Sequence, residues 1–159
     1  MTLALGIDPG TATTGYGLVR LLPDGGLAAV SFGVILTPKD TPAPERLETI
    51  YKQVVKLIKQ HKPDTSAVEK LFFQHNVSTA IAVGQARGVV LLALQQGVVD
   101  MFEYTPNEVK QAVAGYGSAE KRQVQEMVRA LLGLNEIPKP DDAADALAIA
   151  ICHLNTNRY

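Results

Sequence analysis

The sequence predicts an α/β domain built on a mixed five-stranded sheet, a three-strand antiparallel meander plus two parallel strands, with helices on both faces. Three observations carry this. Leu3-Ala4-Leu5-Gly6-Ile7-Asp8 is a near-continuous apolar run, the pattern of a strand buried on both faces in mid-sheet. Pro23-Asp24-Gly25-Gly26 is a strong hairpin turn signal between two further strand-like runs. Beyond it, strand-like and helical segments alternate, which brings helices onto the faces of a sheet.

Taken in order, Thr13 to Arg20 alternates loosely and reads as the second strand, and Leu27 to Leu36 as the third. A Pro-rich loop runs from Pro38 to Pro44. Leu47, Ile50, Tyr51, Val54, Leu57 and Ile58 then recur at helical spacing, which predicts an amphipathic helix from Glu45 to Gln60. Lys52, Lys56 and Lys59 fall on its wet face and read as solvated. Ser66-Ala67-Val68 forms a short strand that ends at Glu69. A long helix follows from about Ser78 to Gln96, with Gly97 as its stop, and then a strand from Val98 to Tyr104.

Thr105-Pro106-Asn107-Glu108 opens a short helix with a cap, a first-turn proline and a capping-box glutamate, and Gly115 ends it. Ser118 starts the next helix, which reaches Gly133. Asp141 opens a final helix running to about Leu154. The order is β-β-β-α-β-α-β-α-α-α. Right-handed crossovers place the strand ending at Glu69 parallel to the first strand and beside it. Asp8 and Glu69 then share one edge of the sheet, at the carboxyl ends of strands where ligand sites of open sheets gather.

A chain of 159 residues with 47% apolar and 19% charged residues fits one globular domain, residues 1–159, rather than a disordered chain. No apolar run approaches the roughly 20 residues of a membrane span. No basic-then-apolar leader opens the sequence, and Cys152 is its only cysteine; both favour a cytoplasmic setting. The net charge of −1 at first argues against nucleic acid as a partner. Setting aside four of the 16 acids for a metal site leaves the 15 bases in excess by three, so placement of the bases decides, not their sum.

The acids carry the chemistry. Asp8 has two readings of equal weight, a turn residue in Asp-Pro-Gly and a ligand held at the end of a rigid strand. Glu69, between Ala67-Val68 and Leu71-Phe72-Phe73, is an edge glutamate or one half of a paired site. In Asp141-Asp142-Ala143-Ala144-Asp145, residues three or four apart share a helix face, so Asp142 and Asp145 point together. Helix-dipole chemistry accounts for Asp141 and in part for Asp142, but poorly for Asp145, a turn further in among apolar residues. Carboxylates from three segments form a hard-oxygen set suited to Mg²⁺ or Mn²⁺, and no Cys/His spacing suits zinc.

Gly6-Ile7-Asp8-Pro9-Gly10, Thr14-Gly15-Tyr16-Gly17, Val68-Glu69, Gly84-Gln85-Ala86-Arg87-Gly88, Val109-Lys110-Gln111, Gly117-Ser118-Ala119-Glu120-Lys121 and Asp142 to Ala150 together resemble the RuvC family of bacterial Holliday-junction resolvases, in order and over nearly the whole chain. The resemblance implies a ribonuclease H-like fold, a homodimer and nicking of four-way DNA junctions with two Mg²⁺ per subunit, Mn²⁺ being a possible substitute. It places the four catalytic, metal-binding acids on Asp8, Glu69, Asp142 and Asp145, leaving Asp141 as a helix cap. It places phosphate-contacting lysines on Lys110 and Lys121 and a junction-contacting aromatic on Phe72; Arg122 and Arg129, on the same helix as Lys121, are weaker candidates for DNA contact. Phe73 reads equally as a second DNA contact or as an anchor for its loop. The branch-migration proteins RuvA and RuvB are implied partners.

Two rivals stand beside this reading. An actin- or sugar-kinase-like phosphate-binding domain also opens strand-Asp-x-Gly-Thr, but needs a second such domain. A non-catalytic junction-binding protein would hold DNA without needing the acids. His61, His75 and His153 show no ligand or triad spacing and read as ordinary, with His75 placed near DNA. Gly84 and Gly88, with Val83, Val90 and Leu91, suit either core packing or a dimer contact.

Overall fold

In the computed structural model of the chain, residues 2–10, 12–70 and 77–157 are described. The strands are β1 (Leu3–Asp8), β2 (Thr13–Leu21), β3 (Leu27–Leu36), β4 (Thr65–Glu69) and β5 (Asp100–Tyr104). The helices are α1 (Ala43–His61), α2 (Val77–Gln96), α3 (Pro106–Ala114), α4 (Lys121–Leu132) and α5 (Asp141–Thr156). The sheet order is β3-β2-β1-β4-β5. β1 to β3 pair antiparallel, and β4 runs parallel to both β1 and β5, as the sequence predicts.

The hairpin between β2 and β3 turns through Gly25, whose φ of 88° lies in the left-handed region that glycine enters without a Cβ penalty. Asp24 Oδ1 accepts the Gly26 N–H at 2.8 Å and fixes the turn. Between α1 and β4, Asp64 clips the parallel pair together. Its N–H donates to the Leu3 carbonyl and its Oδ2 accepts the Leu3 N–H, each at 2.8 Å.

Two cores lie against opposite faces of the sheet. Leu3, Leu5, Ile7, Leu18 and Val68 face α1 and α2, meeting Ile50, Val54, Ile58, Val90 and Leu94. Ala4, Val19 and Ala67 face the other way, toward Val109, Val113, Val128 and the apolar body of α5. The period of two along β1 thus feeds both layers. On the α5 side the strand positions are small. A Cβ added at Gly6 would collide with the Ala146 carbonyl, one at Gly15 with the Asp142 carbonyl, and one at Gly17 would stand 2.8 Å from Leu147 Cδ2. Helix and sheet therefore meet backbone to backbone.

Several boundaries depart from expectation. α4 starts at Lys121 rather than Ser118, because Gln123 Oε1 accepts the Glu120 N–H at 2.8 Å and stops the helix there. α1 begins two residues before Glu45, with Pro44 inside its first turn, where no N–H is needed. β5 begins at Asp100, not Val98. Val98 has φ 56° and takes the left-handed position expected of a helix-ending glycine, while Gly97 is needed for space, its Cβ position lying 2.9 Å from Ile58 Cγ2. Asp141 is the first residue of α5 rather than its cap; Pro140 holds the cap position.

His153 serves the fold, beyond what its spacing in the sequence indicates. Its ring is fully buried, with Nε2 2.8 Å from Thr65 Oγ1 and Nδ1 2.7 Å from the Tyr104 hydroxyl. Asn157 Nδ2 donates to that hydroxyl at 2.5 Å. The network ties α5 to β4 and β5. Burial drives the histidine pKa down from 6.5 to about 4, so the ring is neutral.

Candidate metal centre

β1 and β4 end level with one another. Ile7 pairs with Val68, and the next residue on each strand is Asp8 and Glu69. The glycine floor described above lets the first turn of α5 descend onto the same edge. One carboxylate oxygen each from Asp8, Asp142 and Asp145 lies within 4.8 Å of the others. Glu69 stands beside this trio rather than within it, close enough that its charge raises the Asp8 pKa.

The electrostatics fit a cation site. Asp8 is pushed from 3.8 up to about 8, first by burial and then by the charges of Glu69, Asp145 and Asp142. Burial and the Asp145 charge raise Glu69, and burial is the leading cause for Asp145 as well. Like charges crowded and desolvated in this way repel unless a cation joins them. An all-oxygen donor set of this kind fits a hard divalent ion such as Mg²⁺ or Mn²⁺.

The two lysines singled out in the sequence reach the same place. A groove of about 260 Å³ is lined by Glu69, Lys110, Lys121 and Asp145, with Val109 and Ile149 at its apolar floor. Lys121 Nζ stands 3.3 Å from Asp141 and 3.9 Å from Asp145, and the Asp145 charge is the first cause of its raised pKa. Asp141 also accepts from Gln125 Nε2 at 3.2 Å, so it binds α5 to α4. Among the described residues, Lys110 has no carboxylate at ion-pair distance.

Other candidates lie elsewhere. Arg122 pairs with Glu126 at 3.4 Å along the exposed side of α4 and does not line the groove. Arg129 pairs with Glu126 and donates to the Leu134 carbonyl at 3.3 Å, which closes the end of α4. Phe72, Phe73 and His75 lie outside the described residues. Sequence reasoning left two contributors without a role. The packing of Gly6, Gly15 and Gly17 has a sequence signal only in the alternation of glycines facing an alanine-rich helix. Arg87 reaches the end of β4 through contacts remote in the sequence.

A family model described as "Crossover junction endodeoxyribonuclease RuvC" matches residues 4–153. A Chloroflexus aggregans protein of the same description is 60% identical over 154 residues, covering 96% of this chain and 93% of that protein. A solved Thermus thermophilus RuvC structure superposes with a TM-score of 0.91 at 39% identity, covering 97% of this chain and 94% of that one. A second, T. thermophilus RuvC in complex with a Holliday junction substrate, gives 0.89 at 36% identity, with the same coverage of each chain.

Proposed function

The chain belongs to the RuvC family of crossover junction endodeoxyribonucleases, and from that premise we propose that it resolves four-way DNA junctions by paired symmetric nicks in recombination and repair. The observation that carries the reading is the convergence of Asp8, Asp142 and Asp145, from opposite ends of the chain, in one desolvated cluster on a ribonuclease H-like fold. Membership in an endonuclease family removes the ground for an actin-like phosphate loop and for a protein that only binds junctions.

In this reading Asp8, Glu69, Asp142 and Asp145 would hold two Mg²⁺, with Mn²⁺ as substitute. A pair of such ions supplies water activation and charge stabilisation at the leaving oxygen of a phosphodiester. The residues do the rest. Asp8, fixed at the end of β1, sets the position of the site, and α5 presents Asp142 and Asp145 against it from one helical face. Lys110 and Lys121 engage phosphates flanking the cut, Lys121 from beside Asp141 and Asp145. In-line hydrolysis leaves a 5′-phosphate and a 3′-hydroxyl. Phe72 meets the junction centre, with Phe73 and Arg122 as further DNA contacts.

Two opposed strands require two sites, which a C2 homodimer of single-domain subunits supplies. The outer side of α2 supports this, since Ile81 and Leu92 are 57% and 50% exposed on a helix without charges in its first or last turn. RuvA and RuvB are the branch-migration partners in this reading, and the cytoplasm its setting. No helix among the described residues is long and apolar enough to cross a membrane.

A synthetic four-way junction incubated with Mg²⁺ or with chelator tests the reading. Wild type should yield paired symmetric nicks that need the metal, and Asp8→Asn should bind the junction without cutting it. Equal cleavage by Asp8→Asn would overturn the proposal.

A further inference from the structure

Glu69 is the one acid of the four that stands outside the close carboxylate trio, and it is the last residue of its strand. Something must hold its peptide where the sheet stops. On one side the backbone does so: the Lys70 N–H donates to the Tyr104 carbonyl of β5 at 2.8 Å. The carbonyl of the same peptide unit has no strand partner left to meet. Arg87 takes it, with Nη1 donating to the Glu69 oxygen at 2.6 Å. The other end of the guanidinium is committed, since Nη2 pairs with Glu103 Oε2 at 2.5 Å.

The arrangement is built rather than incidental. Arg87 sits in the middle of α2, and its side chain is only 13% exposed. With Val83, one helical turn earlier, it lines a small recess shared with Asp8, Pro9, Glu69 and Lys70. A planar fork reaches two acceptors in different directions, a main-chain oxygen and a carboxylate, which the single ammonium of lysine does less well. Its charge is matched by Glu103 rather than by the Glu69 carboxylate, and Arg87 is absent from the charges that shift Glu69.

We propose that Arg87 is a positioning residue, which fixes the Glu69–Lys70 peptide between α2 and β5 and so sets the reach of the Glu69 carboxylate toward the metal centre. The inference rests on the reading of Glu69 as a metal-binding acid. Partners of this kind, one step behind a ligand, typically carry roughly 10–100-fold in metal affinity or activity.

The test is single-turnover nicking of a four-way junction across a Mg²⁺ titration, with junction binding in chelator and thermal melting measured on the same proteins. Arg87→Ala should shift half-saturation to roughly 10-fold or more higher Mg²⁺, with junction affinity unchanged within about twofold. Arg87→Lys, which keeps one donor, should fall between the two. Glu103→Gln keeps an acceptor for the fork and should retain near wild-type metal dependence; if Arg87→Ala does not fold, the intermediate metal dependence of Arg87→Lys carries the test, and a wild-type value there overturns the proposal. Wild-type Mg²⁺ dependence in Arg87→Ala would overturn the proposal, as would a fall in cutting matched by an equal fall in metal-free junction binding. Glu69→Gln separates the two layers of the inference: if it cuts like wild type, the reading of Glu69 itself fails, whatever Arg87 does.

Discussion

A Cβ added at Gly15 would collide with the main-chain oxygen of Asp142, so β2 and α5 touch at the very residue that brings one acid to the cluster. The depth of α5 over the sheet is set by a missing methyl group. Gly15→Ala must lift the first turn of α5 or bend β2, and overpacking of this kind costs about 1–3 kcal/mol. We expect a lower melting temperature, and a loss of metal-dependent nicking larger than the unfolded fraction explains. Nicking that falls only in step with unfolding would show that the spacing of helix and sheet does not matter to the site.

Asp8→Asn should stabilise the metal-free protein while abolishing cutting. The folded pKa of about 8 lies above the unfolded value of 3.8, so ionisation of Asp8 opposes folding as pH rises between those values. Asparagine removes that cost, a gain on the order of 4 kcal/mol at pH 7 that fades as pH falls toward 4. Melting in chelator checks the sign. Added Mg²⁺ should raise the wild-type melting temperature and leave the variant nearly unmoved, because only a ligand bound by the folded state stabilises it.

Binding of a divalent ion at this cluster should release protons. A carboxyl with a pKa of about 8 is largely protonated at pH 7 and must lose its proton to become a ligand. Calorimetric titration of Mg²⁺ in two buffers of different ionisation enthalpy should give heats that differ by a substantial fraction of one proton. Metal affinity should tighten from pH 6 to pH 8. Buffer-independent heats would mean that Asp8 is already ionised.

His153 should make the fold sensitive to acid in the opposite sense. Its folded pKa of about 4 lies below the unfolded 6.5, so the unfolded chain binds the extra proton in that window and stability falls as pH drops through it. Asp8 pulls the other way over part of the same range, so the effect is cleanest in Asp8→Asn. Denaturant unfolding of that variant should lose about 2 kcal/mol between pH 7 and pH 5. Adding His153→Gln should flatten the dependence. A slope that persists in the double variant assigns it to another group.

The architecture was legible because its signals are local. The apolar run of β1, the Pro23 to Gly26 turn and the Thr105 capping box each write their structure within a few residues. The acids on β1, β4 and α5 stood out because strand ends and helical spacing bring carboxylates of three segments to one edge, while their reading as one set of four came from the family resemblance. What escaped the sequence depends on meetings between distant segments. Nothing near Arg87 announces the Glu69 carbonyl, and nothing near Gly6 announces the Ala146 oxygen. His153 read as ordinary because α5 is apolar nearly all round, so periodicity does not separate its covered side from an open one. Val98 shows the limit of residue preference, since the space needed beside Ile58 drew the glycine to position 97 and left valine in the strained conformation.

The descent of α5 onto the ends of β1 and β4 also sets when, during synthesis, the acids can meet. A ribosome that has finished the whole sheet has made Asp8 and Glu69, yet the helix bearing Asp142 and Asp145 is still to come. Until that helix emerges and docks on its glycine floor, the nascent polypeptide holds half a blade. In the proposed reading, cutting capacity therefore arrives late in synthesis and all at once, because a chain that stops before α5 lacks two of the four acids.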